Sequence, residues 1–579
     1  MNLISIVFLS YLLLVMVVGI IASRWGRTME GYFLADRGLG SWVTAISSVA
    51  SSESGWLVVG LVGLAYTFGA QAVWTVPGVL LGYACNWYLV APRLRELSVS
   101  LGSITIPGYL HARFGDRWNL IRMIGILIIL FCMMFYVAAQ FTATGKAFQK
   151  AFGESYGITY SHGVLIGGLI TVIYTLVGGF RAVSWTDLIQ GLLMAFGLIV
   201  LPVVTIVSIG GFGVMFDELK KIDARHEAVM TVNEGAGVHQ FGVEAEPVTL
   251  VPGIELKRLE TAPGEYEFLI TKESTANETC HLNGEILTGP LSLSPGDEIT
   301  FGSKQITFNK TVTMVGGADM VDVFGGATGL GLLGWVIGLL GIGFGYPGQP
   351  HVLTRYMAVR DRKALNRARL IAISWGICAL YGAVILGLAA RLAAPDLVDP
   401  EQAYPSLAMT HLPPIIGGIL LAAIISAMMS TADSQLLVVS SAVARDFIDK
   451  TVNLRSRLSE ESVEKTLVWI TRGTVLAVGI LSIILALAEV HMVFWFVLFA
   501  WSGLGAAFGP PILLALFWKR VNSYGAIAGM LTGFIVTVLW KTTFQSMVAE
   551  ATGLSLYELV PAFILSFVAT WLVSMLTPP

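Results

Sequence analysis

Long apolar runs separated by short polar stretches set the rhythm of this chain. A bilayer core about 30 Å thick takes roughly 20 residues of helix, and runs near that length fall at about 3–22, 40–66, 71–92, 119–149, 163–179, 186–210, 327–356, 369–390, 414–444, 466–487, 491–517, 524–541 and 557–577. The pattern predicts an all-α polytopic membrane protein with about thirteen transmembrane helices, numbered here as spans 1 to 13. The first run, Leu3 to Ile20, has no basic residues before it and no small-residue cleavage site after it, so it reads as a retained helix and not a signal peptide.

Two spans are interrupted. Span 2 carries Ser51-Ser52-Glu53-Ser54-Gly55 at its middle. Span 7 carries Gly341-Ile342-Gly343-Phe344-Gly345-Tyr346-Pro347-Gly348-Gln349-Pro350, a run that regular helix does not sustain. The two run in opposite directions through the membrane. Paired broken helices at matching positions of two inverted five-helix repeats point to a binding site near the bilayer midplane. Glycine-rich stretches also permit close helix packing, which is the competing explanation for each stretch taken alone.

One segment breaks the apolar pattern. From about Ala224 to Asn309 the chain is polar, with alternation at Glu265-Tyr266-Glu267-Phe268-Leu269-Ile270 and turn chemistry at Asn283-Gly284 and Pro295-Gly296-Asp297. The expected organisation is residues 1–223 as spans 1 to 6, residues 224–314 as a small β-sandwich-like insertion, and residues 315–579 as spans 7 to 13.

Composition agrees with a membrane protein: of 579 residues 55% are hydrophobic and only 13% charged, too few charges to cover a water-soluble surface of this size. Basic residues set the direction. Arg24, Arg27 and Arg37 follow span 1, Arg93, Arg95, Arg113, Arg117 and Arg122 lie between spans 3 and 4, and Arg355, Arg360, Arg362, Lys363, Arg367 and Arg369 follow span 7. Arg445, Lys450, Arg455 and Arg457 follow span 9. All of these fall on one face, expected to be the cytoplasm, with the N-terminus outside, the C-terminus inside and the insertion extracytoplasmic. The four cysteines, Cys85, Cys132, Cys280 and Cys378, form neither a disulfide framework nor a zinc spacing.

Three carboxylates, Glu53, Asp187 and Asp433, lie inside apolar runs. A charge at that depth is costly and usually faces an ion path or a watery cavity. Ala427, Ser430, Thr431 and Ser434 share one helical stripe at i, i+3, i+4 and i+7, and a stripe of small, oxygen-bearing residues suits a hard cation. A plain helix-packing seam of Ser and Thr is the blander alternative.

Gly178-Gly179-Phe180-Arg181-Ala182-Val183-Ser184-Trp185-Thr186-Asp187, the Gly348-Gln349-Pro350-His351 segment, Ser430-Thr431 with Ser434-Gln435-Leu436-Leu437, and Ala500-Trp501-Ser502-Gly503-Leu504-Gly505-Ala506-Ala507-Phe508-Gly509-Pro510 resemble the sodium:solute symporter family, its bacterial proline carriers above all. The resemblance covers nearly the whole chain outside the insertion. It implies the LeuT-type fold of inverted five-helix repeats, with one extra helix before and two after, and alternating access driven by sodium. Carried over, the main sodium ligands are the Ala50, Glu53 and Ala427 carbonyls with the Ser430 and Thr431 hydroxyls. Asp187, Asp433 and Ser434 form a candidate second cation site, with a shared proton or an ion pair from Asp187 or Asp433 to Arg37 or Arg181 as the alternatives. Ser54, Gly55, Trp56, Tyr136, Ile342, Tyr346, Gln349 and Pro350 are the implied solute-binding residues.

Two departures matter. The proline carriers have Asp where this chain has Ser52 and Met where it has Glu53, so the carboxylate has moved one residue, about 100° of helix. Their Trp on the sixth core helix is Ile342 here, which removes an aromatic lid over the solute. The expected function is sodium-coupled import of a small solute, proline or a related amino acid or organic acid. A membrane sensor or receptor using the same fold is the alternative, although only a few residues follow Leu576 and no kinase is among them. No nucleotide-binding Gly-x-x-x-x-Gly-Lys-Ser/Thr occurs, and an enzyme reading lacks a paired nucleophile or metal cluster. The expected partners are the solute, sodium as the co-transported ion and the lipid bilayer, with no organic cofactor and no nucleic acid. Residues 224–314 offer an extracytoplasmic contact surface. Their end, from Asn283-Gly284 to Phe301-Gly302, resembles the last strands of forkhead-associated domains without that family's phosphothreonine-binding residues. A multi-pass protein of the bacterial inner membrane is expected.

Overall fold

The computed structural model describes residues 3–23, 29–220, 320–324, 329–395, 397, 399–454, 459–488 and 493–578, with the backbone of ten strands between 226 and 314. Among the described residues, helices occupy all thirteen apolar runs. Ten helical stretches are long and apolar enough to cross a membrane, one of them, Trp56–Ser100, covering the second half of span 2 and all of span 3. Leu3–Val18 and Tyr160–Leu176 are shorter apolar helices. Spans 5 and 6 form one stretch, Tyr160–Ser208, whose single non-helical residue is Gly179 at φ 64° and ψ 176°. Glycine adopts that conformation without penalty, and a Cβ there would meet the Tyr32 ring at 2.9 Å. Large apolar side chains face outward around the bundle, with Leu13 63%, Leu127 62% and Ile484 57% exposed, as lipid-facing positions require.

Both expected interruptions are present. In span 2 the helix Ser41–Ser52 stops at Glu53, whose φ of −93° and ψ of 80° are not helical, and helix resumes at Trp56. In span 7 the helix Gly329–Gly341 tightens into a 3₁₀ turn over Ile342–Gly348 and then breaks at Gln349 (φ −89°, ψ 104°). Pro350 then opens a new helix, Pro350–Ala358. Proline suits that first position because its missing N–H would have no partner there.

The glycines of span 7 serve packing as well. A Cβ on Gly343 would sit 2.1 Å from the Gly78 carbonyl of span 3, and one on Gly348 would sit 2.7 Å from Gly505 Cα of span 11. Backbone therefore lies directly on backbone at the break, so the packing and the interruption readings of this stretch are one device. At the basic end, spans 2 and 7 are laced together: the Leu39 N–H donates to the Ala358 carbonyl (3.2 Å) and the Arg360 N–H to the Leu39 carbonyl (2.9 Å).

The insertion holds two antiparallel sheets. One runs Gly237–Phe241, His226–Glu234, Lys304–Met314, Glu298–Phe301, Cys280–Leu282, Glu285–Ile286; the other runs Val248–Val251, Ile254–Ala262, Glu265–Lys272, Leu291–Leu293. Its first and last strands pair directly, His226 opposite Met314, which brings the two ends of the insertion side by side. The turns Asn283-Gly284 and Pro295-Gly296-Asp297 lie outside the described residues.

Candidate cation and solute site

The break in span 2 meets span 9, the helix Pro414–Ser441. The Ser430 hydroxyl donates to the Ala50 carbonyl (3.0 Å) and the Ala427 carbonyl (3.2 Å). Thr431 Oγ1 donates to the same two carbonyls at 3.3 and 3.2 Å. Ala50, Ala427, Ser430 and Thr431 are fully buried. Two carbonyls and two hydroxyls thus share one spot without a formal charge among them. Ligands at about 2.3–2.6 Å from a hard cation lie roughly 3.3–3.7 Å apart when at right angles, so a small outward shift converts this hydrogen-bonded knot into a cation cage.

The Glu53 side chain turns elsewhere. Its Oε1 accepts from Tyr346 (2.6 Å), Tyr83 (2.8 Å) and Ser52 (3.2 Å), and its Oε2 has no hydrogen-bond partner. The carboxylate that shifted by one residue has turned from the four-oxygen knot toward a cluster of aromatic side chains. Tyr346 lies edge-on to Trp501 (centroids 4.7 Å), Trp501 to Tyr136 (6.5 Å), and Tyr136 to His351 (5.9 Å).

The other expected solute residues gather around the same cluster. The Gly55 N–H donates to Gln140 Oε1 (3.0 Å), the Trp56 N–H to Ser54 Oγ (3.3 Å), and the Trp56 indole to the Ser52 carbonyl (2.8 Å). Gln349 donates to the Trp501 carbonyl (2.9 Å), and the Trp501 indole N–H to the Ile342 carbonyl (3.0 Å). Pro350 is buried where the second half of span 7 begins. Trp501 packs so tightly that a Cβ on Gly345 would fall 1.9 Å from its Nε1. An aromatic face is thereby present beside Ile342, supplied by span 11. Unpartnered buried polar atoms concentrate here: Glu53 Oε2, the Tyr136 hydroxyl, Gln140 Nε2, Gln349 Oε1 and both His351 nitrogens. Such atoms are rare in folded proteins, and a cluster of them marks a place for a polar ligand.

Asp187, Asp433 and Ser434 do come together, around a cation that belongs to the protein. Arg355 reaches Asp187 Oδ2 at 3.1 Å and also donates to Ser434 Oγ, with both charged side chains 0% exposed. Ser47 adds hydrogen bonds to the pair, donating to Asp187 (2.6 Å) and accepting from Arg355 Nε (3.1 Å). The reading of Arg355 as a loop charge is corrected: it lies inside the buried second half of span 7, which continues past the apolar run. Neither Arg37 nor Arg181 is the partner, since Arg37 donates to the Ser103 carbonyl (2.8 Å) and Arg181 to the Ala35 carbonyl (3.5 Å). Asp433 accepts from Ser434 at 3.2 Å and keeps Oδ2 unpartnered.

Tyr83, Gln140, His351, Arg355 and Trp501 were missed as site residues by sequence reasoning. Gln140 could have been found, one helical turn after Tyr136 on span 4. The others meet the site only through tertiary packing.

At the end of the bundle opposite the basic loops, Glu401 accepts from Lys146 of span 4 (2.7 Å) and from the Val493 and Phe494 N–H groups that begin span 11 (both 3.1 Å). Asp399 also pairs with Lys146 at 3.0 Å. Burial pushes the Glu401 carboxyl above the usual glutamate range, with Lys146 acting in the opposite direction.

Two broken helices crossing beside an oxygen-lined stripe, inside a multi-pass bundle of inverted repeats, define a secondary transporter of the LeuT type. A model of the sodium:solute symporter family matches residues 32–256 and 293–533, leaving out part of the insertion. The chain is 33% identical to the high-affinity proline transporter PutP of Bacillus subtilis over 97% of this chain and 96% of that one. It is 33% identical to the sodium/proline symporter of Haemophilus influenzae (99% and 94% covered) and 31% to that of Escherichia coli (99% and 92%). A solved sodium-coupled sialic acid symporter superposes with a TM-score of 0.65 at 18% identity, covering 100% of this chain and 99% of that one. The chain belongs to the sodium:solute symporter family. It is a sodium-coupled symporter of a small solute, with sodium as the co-transported ion.

Proposed function

We propose that the protein imports proline or a closely related amino acid across the bacterial inner membrane, with one sodium ion held by Ala50, Ala427, Ser430, Thr431 and the Glu53 carbonyl. The observation that carries the solute reading is Glu53, a buried carboxylate held on one oxygen by tyrosine hydroxyls and unpartnered on the other. A cationic amino group satisfies that oxygen, and the Tyr136 hydroxyl with Gln140 Nε2 supplies donors for the solute's carboxylate. The Tyr346 and Trp501 faces pack the apolar ring or side chain. The N-terminus lies outside, the C-terminus in the cytoplasm and the insertion on the outer side, as the basic loops dictate. Asp187 and Ser434 take their positive charge from Arg355, so this cluster organises spans 2, 6, 7 and 9 and carries no sodium.

Uptake of labelled proline into proteoliposomes tests the reading. Accumulation that collapses with the inward sodium gradient and falls by at least tenfold in Glu53→Gln at subsaturating solute is expected. Saturable solute binding without accumulation would overturn transport in favour of a sensor. Accumulation of carboxylic acids that lack an amino group, with Glu53→Gln unaffected, would overturn the role of Glu53.

A further inference from the structure

At the basic end of the bundle a cavity of about 410 Å³ opens between spans 3, 8 and 11. Its walls combine two chemistries. Arg93, Arg362 and Arg369 face it, together with Asn366, and the outward apolar side chains Tyr88, Leu89 and Phe517 line its membrane side, each between 44% and 51% exposed.

Two of the guanidiniums are held by aromatic faces and not by acids. Arg93 lies 4.0 Å from the Phe517 ring centre and donates one hydrogen bond, to the Leu516 carbonyl at 3.1 Å; Arg369 lies 4.6 Å from the Tyr88 ring centre. Stacking of this kind fixes the orientation of a guanidinium while leaving in-plane N–H donors unused. Among the described residues neither Arg93 nor Arg369 has an acidic partner. The one carboxylate in the cavity, Glu96, meets Arg362 at 3.5 Å with both side chains more than half exposed, so that pair is weak and leaves most of the positive field in place. The cavity sits where spans 3 and 11 end and span 8 begins, at Ser100, Phe517 and Arg362, and the ends of membrane-spanning helices meet the headgroup region of a bilayer.

We propose that this cavity is a binding site for the phosphodiester headgroup of an anionic membrane lipid, of the phosphatidylglycerol or cardiolipin class. The preset arginines take the phosphate oxygens in the bidentate manner guanidinium favours, and the apolar wall of Tyr88, Leu89 and Phe517 takes the first part of the acyl chains. A free phosphate would use the arginines and find no purpose for that wall. The volume lies within the range of ordinary small-molecule pockets, about 300–1,000 Å³. Because spans 3 and 11 pack against the broken span 7, lipid held here braces the end of the bundle where spans 2 and 7 are laced together.

Native mass spectrometry of the full-length protein, equilibrated in mixed phosphatidylglycerol and phosphatidylcholine and released from nanodiscs, tests the site. Phosphatidylglycerol is expected to be retained preferentially. The double variant Arg93→Gln/Arg369→Gln should lose retention by about fivefold per arginine, about 25-fold for the pair. Arg113→Gln/Arg117→Gln removes the same charge elsewhere on the basic end and should lose less than about twofold. If the first double variant does not yield monodisperse protein, Arg369→Gln alone serves, with the fivefold loss expected. Equal losses in the two pairs would overturn the site in favour of a diffuse basic surface. Displacement of the retained lipid by excess inorganic phosphate, with no preference between the two lipids, would overturn the lipid reading in favour of a small-anion site.

Discussion

Around Ser430 and Thr431, two hydroxyls donate to two carbonyls at 3.0–3.3 Å, four oxygens without a formal charge among them. One turn farther along the same helix, Ser434 accepts from Arg355 and donates to Asp433, and the same Arg355 holds Asp187. Both clusters are fully buried and both tie span 9 to span 2, yet only the second carries its own cation. The difference separates two uses of polar groups in a membrane. A neutral cage that hydrogen-bonds itself when closed can accept and release a mobile ion at small cost. A buried carboxylate with a guanidinium already bound is a fixed joint, because removing either partner strands a charge. The end of the bundle opposite the basic loops, the outer end in the proposed orientation, repeats the second design, with Lys146 clasped by Glu401 and Asp399.

The largest effect is expected at the fixed joint. Arg355→Gln leaves Asp187 buried without its counter-charge and should destabilise the folded protein by about 3–5 kcal/mol, read as a loss of monodisperse protein and a lowered Tm. Adding Asp187→Asn should restore much of that loss, since no stranded charge remains. Failure of the second change to help would mean that Arg355 acts by shape and hydrogen bonding alone.

Next in size is the outer joint. Lys146→Met should cost about 3 kcal/mol at neutral pH, because Glu401 stays buried among its backbone donors without its ammonium partner. The sign of the pH effect follows from the raised Glu401 carboxyl. A carboxyl whose folded-state pKa lies above its unfolded one favours the protonated form in the fold. Stability is then lost as pH rises through the folded value and regained on acidification toward the usual glutamate range. Removing Lys146 removes the influence that lowers this carboxyl, so the variant should recover Tm on acidification more than the native protein does. A variant whose Tm is flat across that window would show that Glu401 is indifferent to Lys146.

At the neutral cage the expected effect is functional and smaller in energy. Thr431→Ala or Ser430→Ala removes one oxygen, worth about 1–2 kcal/mol, and should raise the sodium concentration for half-maximal uptake by roughly five- to thirtyfold. Solute affinity at saturating sodium should change little. An unchanged sodium dependence would return this stripe to a packing seam.

Much of this contrast was legible in the residues, and the exception is instructive. The small-residue stripe on span 9 declares itself because its members are neighbours on one helix. The breaks in spans 2 and 7 declare themselves through residues that cannot continue a helix. Arg355 stayed hidden because hydropathy assigns a charge at the end of an apolar run to a loop. The chain instead restarts a helix at Pro350 and carries that charge back into the bundle to meet Asp187. Glu53 was visible as a buried acid, but its turn toward Tyr83 and Tyr346 depends on spans 3 and 7 and on no local signal.

The smallest effect is expected from the insertion. Because His226 pairs with Met314, a short Gly/Ser linker across residues 224–314 spans adjacent ends. Sodium-driven uptake should stay within about twofold of the native rate, since such surface modules are tolerant of exchange. A correctly inserted but inactive linker variant would assign the insertion a part in the transport cycle.

The central claim is that the neutral cage alone takes sodium while Arg355 supplies the positive charge at Asp187. The ratio of charge to solute moved in reconstituted vesicles tests it most directly. A ratio matching one sodium per solute, unchanged in Asp433→Asn with uptake retained, is the predicted result. A ratio matching two in the native protein, falling to one in Asp433→Asn, would place a second sodium beside Asp187 and contradict the account.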